Sequence, residues 1–162
     1  MNSKQTRTIL MILTLLMPLI LWWTRTDDLK SMSAYANSGN NFYYHAMHMF
    51  ASWFFLLQGA AKRRNLYYWI GFGMGGILLT NMYVVPTVHN VVTAITLGTA
   101  VASMVFYSTK HNMSSNILMS VLAIGIFVLG YLVDSVHLFF AEWFSMLVIA
   151  VHMIKKVYID KE

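Results

Sequence analysis

The sequence predicts an all-α integral membrane protein: one domain, residues 1–162, formed by a bundle of six transmembrane helices with both termini in the cytoplasm. Its residues are 58% hydrophobic and only 10% charged, and the mean hydropathy is +0.59. A soluble domain carries about 25% charged residues. Stretches without Asp, Glu, Lys or Arg cover residues 8–24, 31–61, 65–109 and 111–133, and a bilayer requires roughly 20 apolar residues per helix. These stretches are too long and too numerous for a water-soluble core.

Boundary signals in the sequence mark the first three predicted spans. The first covers residues 8–24 and ends beside Trp22 and Trp23, an aromatic pair typical of the membrane interface. The second covers 42–61 and ends at Lys62, and the third covers 66–85 and ends before Pro86. The remaining spans are predicted at 89–108, 115–133 and 136–154. The connections are short, which predicts that helices consecutive in sequence pack as antiparallel neighbours.

The distribution of basic residues predicts the orientation. If the N-terminus is cytoplasmic, nine basic residues lie inside: Lys4, Arg7, Lys62, Arg63, Arg64, Lys110, Lys155, Lys156 and Lys161. Only Arg25 and Lys30 then lie outside. Cytoplasmic segments carry an excess of Lys and Arg, so both termini are expected inside. The longest connection, residues 25–41, is then external, either as a solvated linker or as a flap over the bundle.

Ionisable side chains are concentrated at the predicted outer ends of the spans: His45, His48, His89, Asp134, His137 and Glu142. Polar groups inside a membrane are costly and usually functional. Three imidazoles, or two with a carboxylate, can hold a catalytic zinc ion with an open position for water. There are no cysteines, so imidazole and carboxylate are the only strong metal ligands in the chain.

This cluster predicts a metal site that acts on lipid or on a small substrate at the outer leaflet. The ligands would be His45, His48, His89 and His137, and the metal Zn²⁺ or another divalent ion. Glu142 and Asp134 are the expected catalytic groups: Glu142 would move the proton, and Asp134 would orient the ligands. A haem between two of the histidines is the alternative cofactor.

Two other functions are compatible with the same residues. The histidines can be interfacial side chains bonded to water and headgroups, in a non-enzymatic membrane subunit or a lipid-organising partner. The chain can also be a carrier for a small solute. The expected partners are membrane lipid and either other membrane subunits or a second copy. Gly71-x3-Gly75 forms a small-residue face for close contact with another helix, either within the protein or across a dimer. Nucleic acid is not expected, because the basic residues lie at helix ends.

Three short motifs carry a family resemblance. They are Ser31-Met32-Ser33-Ala34-Tyr35 before the second span, Pro86-Thr87 ahead of His89, and Ala141-Glu142-Trp143 in the last span. The pattern resembles six-span bacterial membrane proteins of unknown function and the eukaryotic Frag/DRAM/Sfk membrane family. The resemblance implies Ser33, Tyr35, His89 and Glu142 as shared positions, a role in lipid organisation, and a place in the bacterial inner membrane. His45, His48 and His137 are not part of the pattern.

Overall fold

The computed structural model describes residues 3–25, 29–39, 41–80, 83–133 and 137–159, and no strand occurs within these ranges. The all-α class is therefore confirmed. Two short 3-10 helices, Ser33–Asn37 and Lys110–Asn112, accompany the long helices. The long helices are α1 Ser3–Thr24, α2 Asn41–Lys62, α3 Asn65–Leu79, α4 Pro86–Phe106, α5 Met113–Leu132 and α6 Leu138–Ile159.

The six helices form a closed ring. Each helix packs against its neighbour in sequence, and α1 contacts α6. The predicted packing of consecutive helices is therefore confirmed. The ring has two ends, named here by a residue close to each. The Glu142 end contains the first turns of α2, α4 and α6, and the Arg7 end contains the last turns of these helices.

Within the described residues, four helices are long and apolar enough to cross a membrane: Ser3–Thr24, Pro86–Phe106, Lys110–Leu132 and Leu138–Tyr158. Large apolar side chains cover their outer surfaces, such as Ile95, Phe106 and Leu118. Hydroxyl side chains point inward instead, and Thr14, Ser103 and Ser145 are buried. An apolar exterior with polar groups inside is suited to lipid as the solvent.

Two predicted boundaries on either side of Pro86 were wrong. The third span was expected to continue to residue 85, but α3 ends at Leu79, and α4 begins at Pro86 rather than at residue 89. Proline fits the first position of a helix, where its missing N–H has no role. Pro86 therefore starts α4 rather than only ending the preceding span.

The Gly71 face packs closely on α2. The hydroxyl of Ser52 donates a hydrogen bond of 2.8 Å to the Gly71 carbonyl. A Cβ atom on Gly71 would lie 2.8 Å from Cγ of Leu56, whereas one on Gly75 would meet only Ser52 Oγ at 3.9 Å. The predicted helix contact therefore lies within the chain and is tight at Gly71 alone.

Charged side chains at the Arg7 end join helices to one another. Helix α1 begins five residues earlier than predicted, so Arg7 lies inside it and is 1% exposed. Its Nη1 donates a 2.7 Å hydrogen bond to Oε1 of Gln58 on α2. Nζ of Lys156 on α6 donates a 2.6 Å bond to the carbonyl of Tyr107, directly after α4. Sequence reasoning placed both basic residues only at the ends of spans and missed these contacts.

Candidate functional site: a central cavity

A cavity of about 100 Å³ lies inside the ring. All six helices contribute to it, together with Met32 and Ser33 from the segment before α2. Its wall is mainly apolar, with Met11, Met47, Ala51, Phe55, Met74, Ile77, Leu97, Ala100, Phe127, Met146, Ile149 and Ala150. Its polar lining consists of Thr14, Ser33, Tyr44, His48, Thr93, Thr96, Glu142 and Ser145. Four of these eight, Ser33, Tyr44, His48 and Glu142, come from the Glu142 end.

Glu142 lines the cavity and also bonds to the segment that precedes α2. Its Oε2 accepts a 2.6 Å hydrogen bond from the backbone N–H of Met32. Across the described ranges, no other group donates to this carboxyl group. Glu142 is half-buried and lines the cavity, so part of the carboxyl group remains open to an occupant.

The segment from Leu29 to Ser38 closes the Glu142 end. Met32 and Tyr35 are buried. The Tyr35 hydroxyl accepts a 3.2 Å bond from the N–H of Leu29, and its ring lies 5.8 Å from that of Phe139. The N–H of Phe139 donates to the carbonyl of Lys30 at 2.9 Å. These contacts hold the segment on the start of α6, so the flap interpretation is favoured over a solvated linker.

Two of the four predicted histidines have defined structural partners. Nδ1 of His48 lies 3.0 Å from the carbonyl of Tyr44, one turn earlier on α2. Nδ1 of His89 lies 2.6 Å from the carbonyl of Thr80, and His89 is 3% exposed. A carbonyl can only accept, so Nδ1 carries the proton in both rings. His89 thereby joins the end of α3 to the start of α4.

Like His89, the other two histidines, His45 and His137, lie outside the cavity lining. His45 is half-buried beside the ring of Tyr44. The ring of His137 packs against Trp22 at 5.2 Å and Phe140 at 5.8 Å, in an aromatic group between α1 and α6. The cavity therefore contains His48 and Glu142, with His45 and His89 within electrostatic range of His48.

The predicted metal site receives no support from this arrangement. In the part of the chain that the structure describes, no group of three or more His, Asp or Glu residues could hold a metal ion. Asp134, the second predicted catalytic residue, lies outside the described residues. The physical reason for the dispersal is that His48 and His89 bond to carbonyls of the bundle, while His137 packs among aromatic rings.

Sequence reasoning missed two hydroxyl groups in the cavity wall. Tyr44 is 2% exposed. Among the described atoms, the hydroxyl of Tyr44 and that of Thr93 are buried without a hydrogen-bond partner. The Tyr44 hydroxyl lies within electrostatic range of Glu142. The spacing of Tyr44 and His48, four residues apart on one helix face, was the available signal for the tyrosine.

A family model described as "Family of unknown function (DUF7103)" matches residues 16–157, and the chain belongs to this family. The match covers the second half of α1, the closing segment and nearly all of α6. No curated protein and no solved structure matches the chain significantly. The resemblance to the Frag/DRAM/Sfk family stays a prediction.

Proposed function

We propose that this DUF7103 member is a six-span membrane protein, with both termini in the cytoplasm, that binds a single-chain amphiphile in its central cavity. It would act as a lipid-organising protein rather than an enzyme. One observation carries this proposal: the cavity combines an apolar wall with polar side chains, and four of these, Ser33, Tyr44, His48 and Glu142, come from one end of the ring. Ligand sites commonly combine apolar walls with a few polar groups that fix the orientation of the ligand.

The ring supports six spans rather than four. Helices α2 and α3 lie between α1 and α4, two helices with membrane-spanning length and hydropathy. We infer from this position that they share the same layer of lipid. Polar side chains of helix α2, including His48 and Gln58, are buried inside the bundle. Helix α3 has 15 residues, or about 22 Å at 1.5 Å per residue, and the exposed Val84 and Val85 continue its apolar surface.

The dimensions of the cavity favour one apolar chain. Its lining runs along α6 from Glu142 to Ala150, about 12 Å at 1.5 Å per residue. The side chains furthest from Glu142, such as Phe55 and Ile149, are apolar. A tail placed among them would leave its headgroup beside Glu142, below the closing segment.

The metal-dependent enzyme and the haem protein stay untested predictions, and metal analysis distinguishes them from this proposal. Purified protein should contain no stoichiometric divalent metal and show no haem absorbance. A stoichiometric metal that is lost in His48→Ala would overturn the lipid-binding proposal in favour of a metal site.

Filling the cavity tests the proposal directly. The protein is placed in phospholipid nanodiscs, so that no single-chain detergent competes, and binding of tritiated dodecanol is measured. Ala51 lines the cavity, whereas Ala60 on the same helix is exposed. Ala51→Leu should remove most specific binding, and the matched control Ala60→Leu should retain it. Equal binding by both variants, or no specific binding by the wild type, would refute the proposal.

A further inference from the structure

Two hydroxyl groups in the cavity wall lack a hydrogen-bond partner in the described part of the chain, and they indicate which headgroup the cavity accepts. The hydroxyls of Tyr44 and Thr93 are buried, and neither has a partner within the described residues. A buried polar group without a partner is costly, and such groups in native proteins usually bond to water, an ion or a ligand. Both residues line the cavity, so its occupant is positioned to supply the missing bonds.

Glu142 determines the charge of the site. Met32 bonds to Oε2, and no described residue donates to Oε1, which leaves this oxygen for a ligand donor. Glu142 is the only acidic side chain in the lining, and no Lys or Arg accompanies it among the described lining residues. An ammonium group can pair with this carboxyl group, and a hydroxyl group can donate to it. A carboxylate or phosphate headgroup would be buried here without a cationic partner among the described residues, which is costly.

We propose that the cavity selects single-chain amphiphiles with an amine or hydroxyl headgroup and rejects those with an anionic headgroup. This inference rests on the proposed lipid-binding function. The amine or hydroxyl donates to Oε1 of Glu142. The hydroxyl of Tyr44 contacts the same headgroup, and the tail extends toward Phe55 and Ile149. A site built to bond a polar headgroup rejects an analogue that cannot make those bonds.

Competition among molecules with the same tail tests the selection. Dodecylamine, dodecanol and dodecanoate compete with tritiated dodecanol for wild-type protein in nanodiscs, and partition into protein-free nanodiscs is subtracted. At neutral pH, dodecylamine and dodecanol should bind at least about tenfold more tightly than dodecanoate, because burying a carboxylate without a cationic partner is costly. Equal binding of all three would overturn the headgroup inference and leave the lipid-binding proposal intact. Absence of specific binding by any of them would refute the proposed function itself.

Two variants test whether Glu142 and Tyr44 are responsible for the headgroup selection. Glu142→Gln keeps an oxygen that can accept the Met32 N–H and removes the acidic group. It should bind dodecanol as before and bind dodecylamine more weakly than the wild type does, because the ammonium group loses its acidic partner. Unchanged binding of dodecylamine would overturn the role of Glu142.

The second variant remains informative if Glu142→Gln does not fold. Tyr44→Phe removes a hydroxyl that bonds to no described residue, so it should fold normally. It should weaken dodecanol binding about fivefold, in the range of one lost hydrogen bond. Unchanged dodecanol binding by Tyr44→Phe would overturn the headgroup contact, because a tyrosine with only a packing role would behave in this way.

Discussion

The two ends of the bundle bury polar side chains for different purposes. At the Arg7 end, Arg7 bonds to Gln58, and Lys156 bonds to the Tyr107 carbonyl. These bonds join α1 to α2 and α6 to the end of α4. At the Glu142 end, the Tyr44 hydroxyl has no partner among the described residues, and the polar groups line an open volume. A buried polar group with an internal partner stabilises the bundle, whereas one left open on a cavity is available to a ligand.

The two ends also differ in how the free-energy cost of burying polar groups is compensated. Placing a polar group in lipid or in a protein interior is unfavourable unless a hydrogen bond compensates for it. At the Arg7 end, Arg7 and Lys156 obtain that compensation from their own chain. At the Glu142 end, Glu142 obtains part of it from the N–H of Met32, while the Tyr44 hydroxyl has no partner among the described residues.

The largest expected effect is the presence or absence of thiol labelling, which tests which end of the bundle faces the cytoplasm. The chain has no cysteine, so a single introduced thiol can be followed without background. In intact cells, Asn37→Cys at the Glu142 end should react with an impermeant thiol reagent, and Asn112→Cys should not react until the membrane is permeabilised. The reverse pattern would place the cavity mouth on the cytoplasmic side and exclude binding from the outer leaflet.

The largest expected change in stability lies at the Arg7 end. Gln58→Leu removes the acceptor of the buried Arg7 guanidinium and should lower the free energy of unfolding by about 1–3 kcal/mol. The matched control is Asn90→Leu, an amide at an exposed position of α4, which should stay within about 0.5 kcal/mol of the wild type. Thermal or denaturant unfolding in detergent measures both. Equal effects would mean that the Arg7–Gln58 bond does not join the helices.

A smaller effect is expected where the closing segment meets Glu142. Met32 has a φ of −61°, which proline can adopt. Met32→Pro removes the N–H donated to Glu142, whereas Met32→Ala removes the side chain and keeps the N–H. The proline variant should be less stable than the alanine variant by about 1–2 kcal/mol, as expected for a hydrogen bond to a carboxyl group. Indistinguishable unfolding curves would show that this bond does not hold the segment in place.

The smallest effect comes from one substitution made at both ends. The Tyr107 hydroxyl accepts a 3.1 Å bond from the N–H of Leu66, so Tyr107→Phe should cost about 1 kcal/mol. Tyr44→Phe removes a hydroxyl without a described partner and should leave the stability within about 0.5 kcal/mol of the wild type or raise it. A loss in Tyr44→Phe as large as that in Tyr107→Phe would remove the distinction between the two ends.

The sequence predicted the elements better than it predicted the site. Hydrophobic stretches gave five of the six helices to within about five residues at each end, because the pattern is local. The end of α3 was missed by six residues, since no charged residue and no proline stands between Leu79 and Pro86 in the sequence. Glu142 and His48 were identified as candidates because polar residues are rare in apolar spans. The partner of Glu142, a backbone N–H, has no signature in a sequence.

Composition alone determined the membrane class, the all-α fold and the packing of consecutive helices, because lipid requires internally hydrogen-bonded segments and short connections leave few arrangements. Only the tertiary structure decided which polar residues share a space. Closure of the ring through α1 and α6 creates the cavity, and helix rotation directs Tyr44 and Glu142 into it while His137 packs among aromatic rings. Depth along a span can be read from residue number, but the direction of a side chain depends on how all six helices pack together.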